Sequence, residues 1–128
     1  MRKIAFILCA VLCIGCLFSC GGNNVNEKRD AYNYAVEAIA GDELNPIHLK
    51  AEQIEKMKGN ISRLIELEGD VLKVCQIQKT GIYAYVIEFD NENDAKKLCE
   101  EREGKGMYVW CEGNVAVYGN NETIKTLK

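Results

Sequence analysis

The spacing of apolar positions changes several times along the chain, and each change marks a new element. Ala31, Tyr32, Ala35, Val36 and Ile39 recur at helical spacing and predict a helix over 27–40, which Gly41 ends. Asn45-Pro46 then reads as a helix start, with Asn as N-cap and Pro in the first helical position. Ile47, Ala51, Ile54, Met57, Ile61, Leu64 and Ile65 follow in steps of three or four and predict one long helix to about Leu67. Lys58-Gly59-Asn60 is its weak point, because Gly costs about 1 kcal/mol relative to Ala in a helix interior. Residues 71–78 and 82–90 switch to Val, Ile and Tyr around Lys79-Thr80-Gly81, the signature of a hairpin with a three-residue loop. Asn91 can cap a helix carrying Glu92 and Asp94 in its first turn, with Ala95, Leu98, Cys99 and Arg102 inward and Gly104 at its end. Met107–Glu112 and Val115–Tyr118 form two more short strands around Gly113-Asn114, and Asn120 or Asn121 caps a last turn holding Ile124 and Leu127.

The resulting order, α-α-β-β-α-β-β-α, defines an α+β class. Residues 82–112 have the length of a β-α-β crossover with a hairpin on each side. The expected fold is a four-stranded, mainly antiparallel sheet (ββαββ) with helices packed on it. Its layout resembles ferredoxin-like folds without their first strand, a likeness of architecture that carries no function.

The N-terminal pattern is of another kind. Met1-Arg2-Lys3 is basic, and Ile4 to Phe18 is apolar and uncharged. That run is short of the roughly 20 residues a membrane-spanning helix needs, and fits a secretory leader. Its end, Leu17-Phe18-Ser19-Cys20, resembles the lipobox of bacterial lipoproteins, with Leu at −3, a small residue at −1 and then the cysteine. Phe18 is bulkier than usual at −2; Cys9, Cys13 and Cys16 fit worse, lacking the Leu or the small residue. The resemblance implies diacylglyceryl transfer to the Cys20 thiol, cleavage before Cys20, and acylation of the new amine. Two or three chains anchor stably where one, at about 0.8 kcal/mol per buried methylene, holds only marginally. The expected organisation is a lipoprotein signal peptide at 1–19, a Gly- and Asn-rich tether at 20–26, and one domain over 27–128. The expected location is the cell membrane or the outer membrane, outside the cytoplasm. Gly21-Gly22-Asn23-Asn24 lack the Asp at +2 that resembles an inner-membrane retention signal.

Removing the leader changes both composition arguments. It carries two of the sixteen basic residues and none of the nineteen acidic ones, so the remainder is about five charges negative. That argues against nucleic acid as a partner, which needs a basic footprint. Of seven cysteines, only Cys75, Cys99 and Cys111 remain as free thiols in the domain. Without a C-x-x-C, a second histidine or clustered thiols, neither thioredoxin-type chemistry nor a zinc site is expected.

Three constellations remain. Tyr83, Tyr85 and Phe89 share one parity of their strand, Tyr108 and Trp110 share one parity of theirs, and Tyr118 ends the fourth. If those parities coincide, one sheet face offers an aromatic platform for a peptide or a glycan; if helices cover it, these residues are core. Asp90-Asn91-Glu92-Asn93-Asp94 with Glu101 at the twelfth position faintly resembles an EF-hand loop but has Ala95 where the turn glycine belongs, so capping is the simpler account. Cys99 and Cys111 are a candidate disulfide between the helix and its following strand. His48 reads as a solvated residue in the first turn of the long helix, and a thiol enzyme would require it to meet Cys75 or Cys111. No nucleophile, base and orienter stand out for a hydrolase. The expectation is therefore a non-enzymatic, cofactor-free envelope lipoprotein that binds or assembles with an envelope protein partner, or alternatively a peptide- or glycan-binding domain using the aromatic face.

Overall fold

In the computed structural model, which describes residues 29–128, the first helix α1 spans Ala31–Ala40 and buries Tyr32, Ala35, Val36 and Ile39, the stripe its sequence displays. The expected signal peptide at 1–19 with Leu17 and Ser19, the expected lipidation site Cys20 and the expected tether at 20–26 lie outside the described residues.

The next segment departs from expectation. Asn45-Pro46 opens no helix; Pro46–His48 is a short strand, β1, paired antiparallel with β2 (Val71–Lys79) through Pro46↔Ile77, Ile47↔Gln76 and His48↔Cys75. Helix α2 begins only at Ala51, capped by Lys50, whose backbone N–H donates to the Gln53 side chain at 2.9 Å, and it ends at Ser62 rather than Leu67. The physical reason is a competing partner. The outer edge of β2 presents unpaired backbone groups, and residues 46–48 take that edge, where a proline without an N–H is tolerated. Gly59 does not break α2, which runs through it to Ser62. The chain leaves the helix three residues later, where Ser62 Oγ donates to the Gly59 carbonyl at 2.8 Å.

Strands β2 and β3 (Ile82–Phe89) form the expected hairpin, with Lys79 paired to Ile82 and the turn tightened to Thr80-Gly81, Gly81 at φ +75°. A bulge between Val71 and Lys73 leaves Leu72 as the extra residue, half exposed. Helix α3 (Glu92–Gly104) starts at Asn91, whose Oδ1 accepts from the Asp94 N–H at 2.9 Å. Strands β4 (Tyr108–Glu112) and β5 (Val115–Gly119) form the second hairpin, and Asn121 caps a closing 3-10 turn over Glu122–Thr126.

Among the described residues the sheet has five strands in the order β1-β2-β3-β5-β4, every neighbouring pair antiparallel. The crossover from β3 through α3 delivers β4 two positions away, and β5 folds back into the gap. This is the expected α+β class with one edge strand more than the pattern along the chain predicts. Each face has its own core. On one side α1 and the 3-10 turn cover Cys75, Ile77, Ala84, Val86, Val115 and Val117. On the other, α2 and α3 cover Val71, Val74, Ile87, Phe89, Ala116 and Tyr118. Among the described residues, no helix is long and apolar enough to cross a membrane.

Candidate functional site

Strand register determines what becomes of the aromatic residues. Tyr85 pairs with Tyr118, and Tyr118 in turn with Val109, so these three share the face under α2 and α3. Trp110 pairs with Val117 and Tyr108 with Gly119, which puts both on the opposite face, beside Ala84 and Val86. The single platform of Tyr83, Tyr85, Phe89, Tyr108 and Trp110 is therefore divided by the sheet. Trp110 packs on Tyr34 of α1 with ring centroids 5.7 Å apart, and Tyr108 lies under the Lys125 ammonium at 5.3 Å. Phe89 is completely buried core.

What remains on the α3 side is a tyrosine cluster. Tyr83 and Tyr85 meet edge-on at 5.8 Å, Tyr85 and Tyr118 are tilted at 5.4 Å, and the Arg102 guanidinium sits over the Tyr118 ring at 5.7 Å. Ile87 and Phe89 are buried in the core on this face, whereas toward the hairpin end Tyr83 and Tyr85 are only half-buried. They line an open groove of about 510 Å³ together with Gln78, Lys79, Ile82, Arg102, Tyr118 and Asn120. The groove combines apolar ring surface with hydrogen-bonding groups, the usual make-up of a ligand site.

Two devices hold this geometry. Asn120 clamps the β2–β3 hairpin: its Oδ1 accepts from the Tyr83 N–H at 2.8 Å, and its Nδ2 donates to the Gly81 carbonyl at 2.9 Å. The Tyr83 carbonyl accepts from the N–H groups of Asn120 and Asn121, both at 3.2 Å. Beside it, Gly119 at φ +156° lets the two backbones approach so closely that a Cβ there would fall 2.2 Å from the Tyr83 oxygen. On the helix side, Arg102 hydrogen-bonds the neighbouring Glu101 carboxylate, which raises the guanidinium's pKa and lowers the carboxyl's. Burial pushes the Tyr118 phenol up to about 12, so it stays protonated at any physiological pH. Arg102, Tyr118 and Asn120 were visible in sequence only as an inward helix position, a strand end and a cap. Their convergence depends on register and on the angle at which α3 returns.

The other candidates resolve differently. His48 is not on a helix but on β1, directly opposite Cys75, yet the pair offers no nucleophile. Cys75 is fully buried, burial pushes its thiol up to about 11, and His48 Nδ1 is 3.0 Å from the Tyr32 hydroxyl. Asp94, from the EF-hand-like run, is buried with its oxygens already taken. They accept from the N–H of Glu68 at 3.0 Å (Oδ1) and 3.1 Å (Oδ2), from Gly69 N–H at 3.0 Å and from Asn91 Nδ2 at 3.2 Å, with Lys97 Nζ at 3.5 Å. Burial alone would raise its pKa, but the amides of Glu68 and Gly69, Asn91 and the Lys97 ammonium outweigh it and hold it below the usual carboxyl range. Asp94 is thus a fastener between α3 and the loop before β2. Among the described residues no three His, Cys, Asp or Glu side chains come together as a metal set. Cys99 and Cys111 do come together, on the α3 side of the sheet. No family model, no curated protein and no solved structure matches this chain.

Proposed function

We propose that this protein is a lipid-anchored, non-enzymatic binding module of the bacterial envelope, held at Cys20 and acting through the tyrosine groove at the β2–β3 hairpin. The reading of the anchor rests on the lipobox resemblance of Leu17, Ser19 and Cys20. The reading of the domain rests on one observation: Tyr83 and Tyr85 stay half exposed beside Arg102 and Asn120 although both sheet faces carry helices. Aromatic rings in a solvated groove offer stacking surface, and a guanidinium on the same wall offers donors to carboxylate or hydroxyl groups. A peptide or a glycan strand presents both. Of the two, an acidic peptide stem suits the groove best, because the cationic Lys79 and Arg102 both line it.

The test is titration of isotopically labelled full-length protein in detergent micelles with soluble peptidoglycan fragments, followed by amide chemical shifts. Shifts centred on Tyr83, Tyr85 and Asn120, lost in the Tyr83→Ala/Tyr85→Ala double variant, support the reading. Stripping the peptide stem from the fragments separates peptide from glycan recognition. An unresponsive groove, or shifts that survive the double substitution, overturns it.

A further inference from the structure

Helix α3 and strand β4 bring two thiols face to face, and the reading above makes no use of them. Trp110 points toward α1, so its neighbour Cys111 points to the other face, where α3 lies. Cys99 is the α3 residue at that place: its thiol reaches the Trp110 carbonyl at 3.3 Å, the peptide group leading into Cys111. The two are unlike in access, Cys99 being buried and Cys111 exposed. They are also unlike in acidity. Hydrogen bonding between the thiols, together with burial, raises the Cys99 pKa; the same hydrogen bond, with help from Lys96, lowers that of Cys111 against the effect of burial. Cys75 takes no part, because it lies buried under α1 on the opposite face.

We propose that Cys99 and Cys111 form a dithiol–disulfide site, with Cys111 as the entry thiol, Cys99 as the resolving thiol, and an external disulfide, a protein oxidant or oxidised glutathione, as the electron acceptor. The exposed Cys111 thiolate attacks one sulfur of the external disulfide, forming a mixed disulfide and releasing the other sulfur as a thiolate, which takes up a proton. Cys99 then loses its proton to solvent and attacks Cys111 Sγ. That forms the internal bond and releases the second external sulfur as a thiol. The two protein thiols are oxidised by two electrons and the external disulfide is reduced to two thiols, so the exchange balances and runs backward with a dithiol reductant. The arrangement of one reactive exposed thiol over one shielded partner favours intramolecular closure over lasting mixed disulfides. It needs an oxidising compartment, as the lipobox resemblance implies for this domain.

The experiment equilibrates the full-length protein in detergent with graded ratios of reduced to oxidised glutathione, quenches with acid, alkylates, and maps cysteines by peptide mass spectrometry. At the oxidising end the site predicts a linked Cys99–Cys111 peptide two hydrogens lighter, with Cys75 alkylated only after unfolding. In Cys99→Ser, Cys111 accumulates as the glutathione mixed disulfide; in Cys111→Ser, Cys99 stays unmodified in the folded protein. A stable mixed disulfide on Cys111 in the unsubstituted protein, a link to Cys75, or a glutathione adduct on Cys99 in the folded Cys111→Ser protein overturns the assignment. The Cys111→Ser substitution is at an exposed position, so its result is readable even where Cys99→Ser folds poorly. None of these readouts involves the tyrosine groove, so failure here leaves that reading untouched.

Discussion

Replacing Asp94 tests the claim that a carboxylate, rather than apolar packing, ties α3 to the loop before β2. Asp94→Ala removes the acceptor from three donors, the amides of Glu68 and Gly69 and the Asn91 side chain, and leaves Lys97 without one of its two carboxylate neighbours. A hydrogen bond to a charged group is worth about 1.5–3 kcal/mol, but the freed amides sit in a part-exposed loop where water replaces some of the loss. The expected cost is about 3 kcal/mol, and for a domain near 100 residues this lowers the melting temperature by about 12–24 °C. Asp94→Asn keeps the shape but turns an NH2 group toward an amide N–H, and is expected to cost about 2 kcal/mol. The sign of the pH dependence separates this from mere loss of packing. The folded-state pKa of Asp94 lies below its unfolded value, so its stabilisation is present above about pH 4 and disappears as pH falls through the folded value. Urea unfolding of wild type and Asp94→Asn at pH 7 and at about pH 2.5 should show a deficit that narrows with acid. A deficit under about 0.5 kcal/mol at pH 7, or one of equal size at both pH values, would refute the reasoning.

Two further outcomes follow from geometry and motif. Gly119→Ala puts a methyl 2.2 Å from the Tyr83 carbonyl and must push β5 from β3, at an expected cost of about 3 kcal/mol by thermal or urea unfolding; a variant within about 0.5 kcal/mol of wild type contradicts the close approach. A palmitate analogue fed to expressing cells should label the wild type and not Cys20→Ala, and label persisting in that variant would remove the lipidation assignment.

The local features of this fold were legible because each needs only its neighbours in sequence. The strands rich in Val, Ile and Tyr over 71–90, the hairpin turns at Gly81 and Gly113 and the cap at Asn91 appear where the pattern puts them, and of the two asparagines offered for the last turn Asn121 is the cap. The helix read over 45–67 is present at Ala51–Ser62, and its start read wrongly for the complementary reason. Their apolar spacing fits a helix as far as local energetics go, but the open edge of β2, more than twenty residues downstream, captured Pro46–His48 as a strand. The candidate site follows the same division. That tyrosines crowd the strands is written in the sequence; which of them share a face is not, because parity passes between β3 and β4 only through β5. One register, Tyr85 to Tyr118 to Val109, kept Tyr83 and Tyr85 with Arg102 and sent Tyr108 and Trp110 to the other side. The crossover that carries α3 back over β4 likewise made neighbours of Cys99 and Cys111. Sequence alone set the lipobox resemblance at Cys20 and every element but β1; pairing between distant strands set β1, the groove and the thiol pair, because register is a contact between segments that share no local pattern.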